Sequence, residues 1–190
     1  MRTAFAPIRL LGLLSAAALV ILLVLQAVQP GGAQSLGPTT VEVYATGLIN
    51  PKGLAFGPDG ELYVAESGPP SEVFVPLPAN FGGTGPIGDG GRISRISPNG
   101  ERSDLVTGLP NVGLYRGAEM LGAGSVAVID GVLYEVAAGH MTVSPLLSEV
   151  APDATLRTIA DVGAFNNAHP PPPTNGDAVP MGNPYDMEAL

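Results

Sequence analysis

Residues 53–68, GLAFGPDGELYVAESG, return as residues 125–139, SVAVIDGVLYEVAAG, one residue shorter at the turn. Ala127 falls on Ala55, Asp130-Gly131 on Asp59-Gly60, and Leu133-Tyr134 on Leu62-Tyr63. The stretch RISRISPNGERSDLVTGL (92–109) is echoed in turn by LLSEVAPDATLRTIADVG (146–163), with Pro152-Asp153 standing where Pro98-Asn99 stood. NPYDMEAL (183–190) matches NPKGLAF (50–56) and opens a third copy. Self-similarity at roughly 60 to 70 residues constrains the fold strongly, because such a unit buries its apolar face only by stacking on its neighbours.

Within each unit, short β-rich runs are bounded by Gly, Pro, Asn and Asp, and after residue 36 no apolar stripe of helical period is sustained. The class is therefore all-β. VEVYA (41–45) alternates as a half-buried strand does, and Pro58-Asp59-Gly60 and Pro98-Asn99-Gly100 are hairpin turns. A β-sandwich needs no internal repeat, and solenoid units are shorter. The pattern predicts a β-propeller of four-stranded antiparallel blades. Blade one spans about 50–109 with an insert loop at 67–91, and blade two about 122–163. A proline-rich loop follows at 166–182, and blade three begins at 183–190. Propellers close with roughly 4 to 8 blades, so two blades and one strand of a third read as the amino-terminal fragment of a longer frame, with free strand edges.

The first 33 residues have the layout of a secretory signal. Arg2 and Arg9 precede an apolar core, Leu10 to Leu25, and small residues follow at Gly31 and Ala33. Cleavage after Ala33 is expected, leaving a linker at 34–40 and a secreted or extracytoplasmic chain not held in a membrane; the alternative is an uncleaved anchor. Cleavage would reduce 8 basic residues to 6 against 17 acidic ones, a net charge of −11. Such a chain has no electrostatic case for nucleic acid. The absence of cysteine excludes disulfides, thiolate metal sites and thiol nucleophiles.

In a propeller, one rim collects the loops leading to the innermost strands and those between second and third strands. That places Asn50, the 67–91 loop, the Gly139-His140 corner and Asn183 together as candidate ligand-binding positions, with Glu66 at the end of its strand and Asp186 beside them. The 67–91 loop mixes Pro and Gly with Val73, Phe74, Val75 and Phe81, a composition that suits a binding element or a disordered excursion. His140 and His169 lie in different loops without further ligands at zinc spacing. No Ser stands in a nucleophile elbow, and Gly122-x-Gly124 precedes no predicted helix, so it is no dinucleotide fingerprint.

GLINPKGLAFGPDGELYVAESG, GRISRISPNGERSDLVTGLPN, TIADVGAFNNAHP and NPYDMEAL, in this order and spacing, resemble the ScyD/ScyE family. These are exported propeller proteins named for their association with biosynthesis of the pigment scytonemin, without a firmly assigned reaction. The resemblance implies a binding or scaffolding module that takes a small molecule or protein at its rim. Kinship to gluconolactonase-like and quinoprotein propellers implies the alternative, a metal-dependent lactonase-like hydrolase or a dehydrogenase. By that analogy Glu66, Asn183 and Asp186 would contribute oxygens to a Ca²⁺ site. The opposing reading makes Glu66 a solvated strand end, since blade two has Ala137 at that position.

Overall fold

Three turns share one hydrogen-bond frame. Gly57 N donates to Glu61 O at 2.8 Å and Gly60 N to Gly57 O at 3.1 Å. Ser97, Glu101 and Gly100 repeat this at 3.0 and 2.8 Å, and Ala151, Thr155 and Ala154 at 2.8 and 2.8 Å. Proline presets the first turn residue, Asp or Asn follows it, and the third position takes a positive φ: 78° at Gly60, 83° at Gly100 and 64° at Ala154. Asp130 (φ 52°) and Gly131 (φ 78°) make a two-residue hairpin of the primed type, whose twist matches its strands.

The computed structural model describes residues 40–139, 143–170 and 187. Two compact units are distinguished, Met1–Glu42 and Val43–Leu190, and the architecture belongs to the second. Among the described residues the strands are β1 (Pro51–Phe56), β2 (Leu62–Glu66), β3 (Phe74–Pro76), β4 (Thr84–Ile96), β5 (Arg102–Leu114), β6 (Glu119–Leu121), β7 (Ala123–Ile129), β8 (Val132–Ala137), β9 (Leu146–Val150) and β10 (Leu156–Asp161). One helix, α1 (Val162–Ala168), follows. The fold is all-β, with two antiparallel sheets ordered β1-β2-β4-β5-β6, with β3 also on β4, and β10-β9-β8-β7. Both contain a four-stranded meander, and among the described residues the sheets do not close on each other.

Strand register makes the two meanders comparable residue by residue. Leu62 pairs with Ile96, Val64 with Ser94 and Glu66 with Arg92 in the first; Leu133 pairs with Val150 and Glu135 with Ser148 in the second. Because side chains alternate across a strand, Ala65, Ile93 and Val106 face Val126, Leu133 and Val150 of the other sheet and form the main core. Strands β1 and β7 approach so closely that a Cβ on Gly53 would come within 2.8 Å of Ser125 Cα. Each fully buried Val, Leu or Ile contributes about 1.5–3 kcal/mol, so this shared face is the main source of cohesion between the repeats.

Three local expectations are corrected. VEVYA is not a strand. Ala45 and Leu48 instead lie over the opposite face of the first sheet, on Leu62, Val64 and Ile96, and left-handed residues at Gly47 and Asn50 lead the chain from there into β1. The 67–91 stretch is no simple loop, because β3, a short 3₁₀ turn at Ala79–Phe81 and the first half of β4 occupy it. With the far half of β5 and with β6 it forms an extension around Leu77, Val112 and Leu121. Backbones can approach there because glycine leaves room: a Cβ on Gly85 would meet Gly113 O at 1.9 Å. Finally, the loop expected from residue 166 does not begin there, because D-V-G-A-F opens a helix that runs to Ala168 and whose N-cap, Asp161, accepts from Ala164 N at 2.7 Å.

Candidate functional site: a buried carboxylate at the end of β2

Glu66 is the last residue of β2 and its side chain is fully buried (0 % exposed). Cross-strand pairing puts Arg92 directly opposite, and period two puts Ser94 and Arg102 on the same face. Oε2 accepts from Arg92 Nη2 at 2.9 Å and from the backbone N–H of Ile49. Oε1 accepts from Arg102 Nη2 at 3.2 Å and from the Ser94 hydroxyl. Asp104 completes the cluster, 2.6 Å from Arg102 Nη2 and 3.9 Å from Arg92 Nε. Burial alone would raise the Glu66 carboxyl above its usual range. The hydrogen bonds from Arg92, Ser94 and Ile49, with the Arg92 charge, more than reverse this and hold it below.

The chain around the carboxylate is pinned by amides. Asn50, in the left-handed region at φ 51°, donates from Nδ2 to Gly68 O at 2.9 Å. Asn111 donates to Ser67 O at 2.8 Å and Pro69 O at 3.0 Å from a fully buried position. Ser67 N and Gly68 N return hydrogen bonds to Asn50 O and Ile49 O. Gly68 is the residue this crossing requires, because its φ is 74° and a Cβ there would lie 1.9 Å from Gly90 O.

The structure therefore brings Asn50 and Glu66 together, whereas His140, Asn183 and Asp186 lie outside the described residues. A carboxylate offers about four lone-pair sites, and four donors occupy those of Glu66. A Ca²⁺ ion there would have to displace one of these donors. Among the described residues no three His, Asp or Glu side chains gather in a metal-holding group. Arg92, Ser94, Arg102 and Asp104 escaped the sequence reading, although the alternation R-x-S in RIS (92–94) and R-x-D in RSD (102–104) carries the signal. Asn111 offered no such signal.

The second sheet holds a carboxyl of opposite character. Glu135 of β8 is 1 % exposed, and neither oxygen has a hydrogen-bond partner among the described residues. Burial pushes it up to about 8. Toward the proline turns, a cleft of about 310 Å³ lies between Tyr63 and Arg95 of one sheet and Leu133, Val150 and Pro152 of the other. No family model matches the chain, and a search of curated proteins finds no match either. Among the described residues no helix is long and apolar enough to cross a membrane.

Proposed function

We propose that the chain belongs to an exported, propeller-type binding protein of ScyD/ScyE character, which takes a small-molecule or protein ligand on the strand extension beside its first blade. The observation carrying this reading is that the extension has its own core yet leaves Val73, Phe74 and Tyr115 exposed at 63, 55 and 49 %. Aromatic and aliphatic side chains held on a rigid element bind with little ordering cost. Two stacked meanders with one turn chemistry support the propeller. The Arg–apolar–small-residue layout of residues 1–33, which lie outside the described residues, supports export.

The test is a thermal-shift screen of the full chain against oligosaccharides and short peptides, followed by titration of any hit. Replacing Phe74 and Tyr115 together by Ala should weaken binding at least about tenfold, the equivalent of 1.4 kcal/mol, with an unchanged melting temperature. A hit whose affinity ignores both residues removes the extension from the reading. Ca²⁺ titration with a lactone-hydrolysis assay addresses the enzymatic alternative: metal-dependent turnover abolished by Glu66→Gln would replace the binding reading. Export is checked by fractionation and amino-terminal sequencing, with Gln34 expected first.

A further inference from the structure

Repeat equivalence shows how Glu135 comes to be isolated. In the first sheet Val64 pairs with Ser94, and in the second Glu135 pairs with Ser148, so Glu135 stands where its sister strand has valine. The arginines that hold Glu66 correspond to Leu146 and Leu156. The second sheet thus carries an inward carboxyl without the cations that charge the first one. Its face is the one packed against β1 and β2, with Val126 opposite it on β7 and Leu133 and Val150 in the same core.

Among the described residues no charge on the surrounding elements is placed to compensate it. Strand β7 carries no titratable residue. On β9 Glu149, and on β8 Tyr134, alternate to the other face, where Glu149 pairs with Arg157. On β2 Tyr63 directs its hydroxyl to Glu61, and Glu66 lies on the far face among its own arginines. Lys52 of β1 is exposed. Arg95 of β4 is 3.7 Å from Glu61. An isolated carboxylate in such surroundings is strongly disfavoured, whereas the neutral acid is tolerated.

We propose that Glu135 is a proton-dependent lock on the packing of the two sheets: as the neutral acid it lets them close, and when its O–H bond breaks and the proton passes to water, the buried negative charge drives them apart. The unfolded chain ionises near the ordinary 4.5 and the folded one near 8. The lock is therefore complete below 4.5, weakens through the window between these values and is lost above about 8. One proton is bound by folding in that window, so the folded-to-unfolded ratio falls tenfold per pH unit.

Infrared difference spectra of the full chain, recorded from pH 5 to 9, read the acid directly. The wild type should show a protonated-carboxyl band at pH 7 that disappears with a midpoint near 8, and Glu135→Gln should lack it. Denaturant unfolding supplies the second readout, using Glu135→Val, the residue of the sister strand, should the glutamine variant not fold. Relative to either variant, the wild type should lose a factor of ten in folding equilibrium per pH unit between 4.5 and 8 and level off above. Absence of the band at pH 6, its persistence in Glu135→Gln, or parallel pH profiles in wild type and variants would each overturn the proposal.

Discussion

Two buried glutamates at nearly the same place in a repeated strand are held in opposite charge states by what stands on the next two strands. At Glu66 two arginines and two further donors supply what water would have given. Removing it leaves Arg92 and Arg102, 17 and 21 % exposed, facing each other with only the more exposed Asp104 as an anion. Glu66→Ala should therefore cost about 3 kcal/mol, the lower end for a broken buried pair because the arginines keep some solvent; urea unfolding at pH 7 measures it. The carboxyl lies below its ordinary 4.5 in the folded state. Its contribution is present above that value and lost as pH falls through the folded value. Acid unfolding of Glu66→Gln should accordingly begin from a lower plateau and be shallower below pH 4.5 than that of the wild type. A smaller residue-level effect sits at Ala154, which adopts φ 64° where its sister turns have glycine. Ala154→Gly should stabilise by about 0.5–1 kcal/mol, the relief of left-handed strain less the added freedom of the unfolded chain, read as a raised urea midpoint with unchanged slope.

Among the elements, the extension built by β3, β6 and the far halves of β4 and β5 is nearly a separate layer. Its core residues Leu77, Val112 and Leu121, joined by Ala138 just past β8, do not share a cluster with Ile93 or Val126. Leu77→Ala should cost about 2–4 kcal/mol and should speed amide exchange in β3 through β6 while leaving β9 and β10 unchanged; Ile93→Ala should accelerate both sheets together. This extension also marks where the sequence was hardest to interpret. The strands flanking Pro58-Asp59-Gly60 and Pro98-Asn99-Gly100 were legible because period-two alternation and turn chemistry agree there. In residues 67–91 Gly and Pro dominate, and pairing depends on backbones that approach because side chains are missing, as at Gly85 against Gly113, which no hydrophobic pattern reports. VEVYA shows the converse: alternation was present, but packing of Ala45 and Leu48 onto a sheet face won over pairing at an edge. At the site, Glu66 was singled out from its position alone. Its partners lie 26 and 36 residues away, and only the register of β2, β4 and β5 turns that distance into contact.

At the scale of the whole molecule, both sheets leave apolar strand residues exposed among the described residues. Among the described residues strand β10 is exposed along its full length, with Leu156 and Ile159 outward, and it ends the order of the second sheet. On the first sheet Leu54 and Phe56 of β1 are also exposed, at the opposite end of the strand order. An unpaired strand bearing apolar side chains is a template for another chain, and natural sheets blunt such edges with charge. The strand has one charge on its middle, Arg157, and that is engaged by Glu149. The protein at a net charge of −9 repels itself only at long range, a barrier that salt screens within about 10 Å at 0.1 M. The expected behaviour is reversible self-association that grows with protein concentration and with salt, seen by sedimentation velocity. Ile159→Lys, which places an unpaired cation on the outermost strand, should shift the distribution toward monomer without altering the far-ultraviolet circular dichroism. Monomers that persist in the wild type at high concentration and high salt would show that this edge is already protected, and Ile159→Lys would then have no effect on sedimentation.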